Sequence, residues 1–176
     1  TWKRTLFANA DAGAVDVSID PNNPDFVMAS TWRVRRTPYS LTSGGEGSGI
    51  WRSKDGGETW ENLMDKSGMP QAPIGISGVA ISPVDSDVIY AIIEANKGGV
   101  YKSTDGGETW RNTNSSRALR QRAWYYSRIY ADTKDVDKVY VMNVAYHVST
   151  DGGRTFESNG APHGDHHDLW IAPEDN

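Results

Sequence analysis

Three stretches of the sequence concentrate side chains able to do chemistry. Residues 163–168 read His163-Gly164-Asp165-His166-His167-Asp168, imidazoles and carboxylates crowded into one short run. Imidazole with carboxylate is a ligand set for zinc and similar ions, while calcium's oxygen shell suits the histidines less. His163, Asp165, His166 and His167 are therefore candidate ligands of a divalent metal. The same groups serve as general acids and bases, which makes Asp165 and Asp168 the catalytic candidates. The spacing matches no helical metal motif, and a strand would turn alternate residues to opposite sides. A hydrogen-bonded strand start is thus a third reading, and apart from that divalent metal no cofactor is expected.

The second stretch, Arg117-Ala118-Leu119-Arg120-Gln121-Arg122-Ala123-Trp124-Tyr125, interleaves arginines with aromatics. The third runs from Arg33 through Arg35, Arg36 and Tyr39 to Glu46. Guanidinium groups grip carboxylates bidentately. Arg33, Arg35, Arg36, Tyr39, Arg117, Arg120, Arg122, Trp124 and Tyr125 together suit an acidic sugar or a peptide carboxyl terminus. The alternative is ion pairing within the loops, with Trp124 and Tyr125 beginning a strand and packing into the core.

The elements that must carry these residues are set by an internal repeat. Ser53-Lys54-Asp55-Gly56-Gly57-Glu58-Thr59-Trp60 returns as Ser103-Thr104-Asp105-Gly106-Gly107-Glu108-Thr109-Trp110 and as Ser149-Thr150-Asp151-Gly152-Gly153-Arg154-Thr155-Phe156, at spacings of 50 and 46 residues. Asp-Gly-Gly supplies the positive φ of a tight hairpin turn, and its carboxylate can bond the turn's own amides. Every residue of the motif is explained by a turn. His147, at the place of Tyr101 in the repeat, is likewise structural.

Upstream of each turn the order is a short strand (15–19, 78–81, 127–130), a turn-rich connector, and an apolar strand (26–32, 88–93, 139–144). The middle apolar strand has no polar position, which predicts burial on both faces. Four antiparallel strands per repeat is the signature of β-propeller blades. The chain is predicted to be all-β, with blades at 13–63, 76–113 and 124–158, the end of a preceding blade at 1–6 and the start of another at 166–176. About three complete blades, with both ends inside a blade, predict part of a larger propeller whose remaining blades are its first partners.

Composition narrows the function. The 176 residues carry a net charge of −5, which argues against nucleic acid, since phosphate binding needs a basic surface. No apolar run approaches the ~18 residues of a membrane span. Without cysteine, disulfides and thiolate-bound zinc are excluded.

The Ser-x-Asp-Gly-Gly-x-Thr-Trp motif resembles the Asp-box, or bacterial neuraminidase repeat, of sialidases, xyloglucanase-type glycosidases and the sortilin ectodomain. Residues 117–126 and 163–170 bring it closer to large secreted bacterial proteins with sortilin-like propellers, many labelled glycosyl hydrolase. The resemblance covers essentially the whole chain. It implies a secreted, extracellular or cell-surface bacterial location and a protein or glycan ligand. It also implies that Ser53, Asp55, Gly57, Trp60, Ser103, Asp105, Gly107, Trp110, Ser149, Asp151, Gly153 and Phe156 are structural, on the face opposite a sialidase active site. The Phe-Arg-Ile-Pro element of sialidases is missing. The expected function is a binding or scaffold module for protein, peptide or glycan on the loop-rich face. A glycoside hydrolase, which needs two carboxylates about 5–10 Å apart, is the alternative, and a repeat of a surface assembly is a second one.

Overall fold

The computed structural model describes residues 1–174, so Asp175 and Asn176, the end of the expected next blade, lie outside the described residues. Three antiparallel sheets follow one another along the chain. The first contains β1 (Ala12–Ile19), β2 (Val27–Arg36), β4 (Gly49–Ser53) and β5 (Glu61–Asn62), with β3 (Leu41–Ser43) paired to the far end of β2. The second is β6 (Ser77–Ile81), β7 (Ile89–Ile93), β8 (Gly99–Ser103) and β9 (Arg111–Asn114). The third is β10 (Arg128–Ala131), β11 (Val139–Met142), β12 (Tyr146–Ser149) and β13 (Glu157–Asn159). Each is a meander of neighbouring strands, as a propeller blade must be.

The blades stack face to face around the middle one, and β7 shows why its sequence carries no polar residue. Ile89, Ala91 and Ile93 point into a cluster with Phe26, Met28, Ile50 and Leu63 of the first blade. Tyr90 and Ile92 point the other way, toward Ile129, Val139 and Val141 of the third. A strand alternates its side chains, so a blade between two others must be apolar at every position of its second strand. The first strands line up with β6 between β1 and β10. Side chains of β1 bind the edge of β6: Asp16 Oδ2 accepts from the Val79 amide at 2.9 Å and Ser18 Oγ from the Ile81 amide at 3.0 Å.

Each Asp-Gly-Gly turn joins the third strand of its blade to the fourth and lies beside the connector between the first two. The Gly56, Gly106 and Gly152 amides donate to the carbonyls of Asp25, Asp87 and Asp137 at 2.9, 2.9 and 2.8 Å. Turns and first connectors therefore share one face, which leaves the loops between second and third strands and the blade-to-blade crossovers on the other.

Three segments differ from expectation. The insertion after β2 is a hairpin and not a loop, because Val34, Arg35 and Arg36 pair with Ser43, Thr42 and Leu41. Trp124 and Tyr125 do not begin a strand; they sit in a turn in which the Tyr125 and Tyr126 amides both donate to the Arg122 carbonyl, and Arg122 takes a φ of 51°. Residues 166–174 form no strand, since no described segment offers the ladder that defines one. They run instead along the third blade, tied by the Asp165 and His166 amides to the Val144 and Asn143 carbonyls at 3.1 and 3.0 Å.

Candidate functional site

The repeat turns are closed systems. In the middle blade Asp105 Oδ1 accepts from Ser103 Oγ at 2.8 Å and from the Thr109 amide at 2.8 Å, while Oδ2 accepts from Thr109 Oγ1 at 2.6 Å. Ser103 Oγ in turn accepts from the Gly107 amide at 2.9 Å, and Gly106 and Gly107 hold φ values of 66° and 90°. The turns at Asp55 and Asp151 repeat this pattern. The Thr59 hydroxyl and amide, then Ser53, bring Asp55 to about 2. Burial opposes the charge of Asp151, but the bonds from Thr155 and Ser149 outweigh it and also leave it at about 2. The carboxylates thus stay ionised and fully engaged within their turns. Trp110 covers its turn, with Nε1 donating to the Gly107 carbonyl at 3.1 Å.

Cavities of about 580 and 470 Å³ lie on the turn face beside the first connectors, and larger ones lie on the opposite face. One, of about 700 Å³, is lined by Glu94, Arg117, Arg120, Arg122 and Trp124 among others. The crossover forming its wall includes a 3-10 turn, Arg117–Arg120, capped by Ser116 and anchored by the buried Leu119. That anchor turns the arginines outward around the cavity. Arg120 is half-buried. Its Nη2 reaches the Ser115 carbonyl at 3.3 Å, its buried Nε has no hydrogen-bond partner, and no carboxylate lies within ion-pair distance among the described residues. Burial pulls its pKa down, the Tyr101 and Glu94 groups pull it up, and the Arg117 charge adds to the lowering. Glu94, the cavity's carboxylate, is already committed: Oε2 accepts from Ser43 Oγ and from the Ile76 amide. Gly98 leaves the room, because a Cβ there would stand 2.7 Å from Arg120 Nη1.

Four of the expected ligand-binding residues, Arg117, Arg120, Arg122 and Trp124, thus meet at one cavity. Tyr125 stands beside them, its ring 5.8 Å from Trp124 and 5.4 Å from His167. Arg33, Arg35, Arg36 and Tyr39 lie elsewhere, on the β2–β3 arm. Arg33 Nε approaches Asp11 at 3.7 Å and Tyr39 is 93% exposed at the arm's tip. Glu94 escaped the sequence reading, although an acidic residue closing an all-apolar strand on the loop face was a usable signal.

The histidine-rich segment does not converge on one point. Asp165, at φ 63°, accepts from the Tyr126 hydroxyl at 2.7 Å. The His167 ring meets Tyr126 edge-on at 4.9 Å, whereas His163 stacks on His166. Asp168 accepts from the Tyr130 hydroxyl at 2.6 Å and the Leu169 amide at 2.9 Å, which hold its pKa below the usual carboxylate range. Among the described residues no three His, Asp or Glu side chains form a group able to hold a metal ion. The geometry makes this segment a strap over the third blade. His147 is buried beneath it, and burial first, then the His166 charge, lower its pKa.

A further set of charges clasps the first two blades together on the turn face. Arg52, almost fully buried, donates to Glu61, to Glu108 at 2.7 Å and to the Gly106 carbonyl at 2.6 Å, and Lys66 bridges the same two carboxylates at 2.8 and 2.7 Å. Lys102, at the same repeat position as Arg52, reaches Asp137 at 2.7 Å. A basic residue recurring just before the turn serine was the sequence signal for it.

No curated sequence shows significant similarity to the chain. Among solved structures, YCF48 bound to a D1 peptide superposes with a TM-score of 0.55 at 15% identity, covering 84% of this chain and 40% of that one. YCF48 from Cyanidioschyzon merolae gives 0.56 at 16%, covering 89% and 42%. The GH74 xyloglucanase from Xanthomonas campestris gives 0.52 at 18%, covering 84% and 18%. The chain therefore spans 42% or less of the length of these three proteins, and at such identities the likeness is one of fold. Residues 48–162 match the model of the family described as sortilin, neurotensin receptor 3. With its three propeller sheets and its turn repeat, the chain belongs to that sortilin/Vps10 family.

Proposed function

We propose that this chain is a binding module, exported to the bacterial cell surface or beyond, that holds an anionic ligand on its loop face. One observation carries the reading: Arg117, Arg120 and Arg122 surround a single cavity with Trp124, and the half-buried Arg120 lacks a carboxylate partner among the described residues. Taking a guanidinium partly out of water is costly unless an anion compensates, and a bound carboxylate would supply the opposite charge. A protein, peptide or glycan bearing acidic groups meets that requirement. YCF48, whose structure holds a D1 peptide, gives a parallel for a propeller that binds a peptide.

The hydrolase alternative draws support only from the fold of the GH74 neighbour. Asp165 and Asp168, its candidate pair, each accept a hydrogen bond from a tyrosine of the third blade, which favours fastening over turnover. The test is retention on immobilised polygalacturonate and poly-glutamate against neutral dextran at physiological salt. Binding to at least one polyanion, weakened tenfold or more in an Arg117→Gln/Arg122→Gln double variant, is the expected result. Equal retention of wild type and variant would overturn the reading.

A further inference from the structure

The Arg120 guanidinium is the wall between two cavities. On its other side lies a second one of about 830 Å³, formed by the first crossover, the β7–β8 loop and β9. Both volumes fall in the usual range of small-molecule sites, about 300–1,000 Å³. Their linings differ in kind. The first is cationic with an aromatic face, Trp124 being 38% exposed. The second carries three carboxamides, Gln71, Asn96 and Asn112, with Lys97, Met69, Tyr101 and Ser115, whose hydroxyl donates to Asn112 Oδ1 at 2.9 Å.

A carboxamide offers donors and an acceptor on one group, as does each hydroxyl of a sugar, and several spaced around a cavity suit a ring bearing hydroxyls all round. Trp124, which lines the first cavity, offers an apolar ring to the carbon-bound hydrogens of a pyranose. The three arginines require an acid next to that ring. Resting on the anionic-ligand reading above, we propose that the ligand is a linear uronate-bearing oligosaccharide. One uronate carboxylate sits on Arg120 in the arginine cavity, with its ring against Trp124, and the adjoining sugar residue lies among Gln71, Asn96 and Asn112. An acidic peptide satisfies the arginines alike but leaves the ring of carboxamides without a matching set of hydroxyls.

The experiment is calorimetric titration of the full chain with α-1,4-linked trigalacturonate, galacturonic acid, maltotriose and triglutamate. Trigalacturonate should bind at least tenfold more tightly than galacturonic acid and than maltotriose. Arg120→Gln should weaken trigalacturonate tenfold or more. The Gln71→Ala/Asn96→Ala double variant, which alters two exposed side chains and keeps the fold, should weaken trigalacturonate several-fold and leave galacturonic acid unchanged; it carries the test if Arg120→Gln melts early. Binding of triglutamate without trigalacturonate overturns the glycan and leaves the anionic site standing. Equal affinity for trimer and monomer, or no effect of the double variant, overturns the two-cavity arrangement. No binding of any anion overturns this proposal together with the reading beneath it.

Discussion

Replacing Asp105 by alanine separates a structural turn from a functional one. The carboxylate accepts from Ser103 Oγ, the Thr109 amide and the Thr109 hydroxyl, all between 2.6 and 2.8 Å. In Asp105→Ala the Thr109 amide is exposed enough to be taken over by water, so the loss resembles that of a helix cap, about 1–2 kcal/mol. A chain of this size shifts its Tm by roughly 2–4 °C per kcal/mol. Urea unfolding followed by tryptophan fluorescence should show a lower midpoint at unchanged slope. The pH dependence supplies a second reading of the same interaction. Burial works against the Asp105 charge, yet the Thr109 and Ser103 bonds keep its folded pKa below the ordinary 3.8. Its stabilisation is therefore complete above pH 3.8 and drains away as pH falls through the lowered folded value, and Asp105→Ala must lack that share of the acid sensitivity. Ligand retention on the far face should be untouched. Lost binding with an unchanged urea midpoint would refute the assignment of the motif as a turn.

Two other consequences follow from the blade contacts. Removing one partner of a buried ion pair costs about 3–5 kcal/mol; because Glu61 and Glu108 are each 46% exposed, Arg52→Ala should cost about 2 kcal/mol in urea unfolding, and a loss below about 0.5 kcal/mol would dismiss the clasp. His147 resists protonation in the folded chain, so unfolding takes up a proton below pH 6.5 and stability should decline as pH falls from 7 toward 5. The His147→Tyr variant, which installs the residue of the preceding repeat, should flatten that decline in thermal melts at successive pH values; an identical slope would put the titration elsewhere.

The repeat made the scaffold legible because each of its features has a local cause. Asp-Gly-Gly forces a turn wherever it occurs, and the unbroken apolar run of β7 has meaning only for a strand covered on both sides, as Ile92 and Ile93 are. Elements without a local cause were misread. The arm after β2 rests on three paired residues on each side of Pro38-Tyr39, too few for alternation to stand out. The aromatics at 124 and 125 carry high strand propensity, but β10 starts at Arg128, where it pairs with Met142 at the end of β11. Register with a neighbour overrode propensity.

The same distinction explains why the site was half visible. That arginines gather on the loop face follows from topology, since crossovers and second loops share that end of every blade, and topology follows from the repeat. Which arginines act together does not, because Arg33 and Arg120 look alike in sequence and differ only in what surrounds them. Arg33 has Asp11 within reach. Arg120 is held by Leu119 beneath it and Gly98 beside it, while the nearby carboxylate, Glu94, is drawn off by Ser43 and the Ile76 amide. The committed acid directly follows the second strand of the middle blade, and the uncompensated base lies in the crossover to the third. Each Asp-Gly-Gly turn satisfies its own carboxylate and serine, and so has nothing left to offer a ligand. The capacity to bind must then reside where the repeat is broken, and the crossover at 117–124 is such a place.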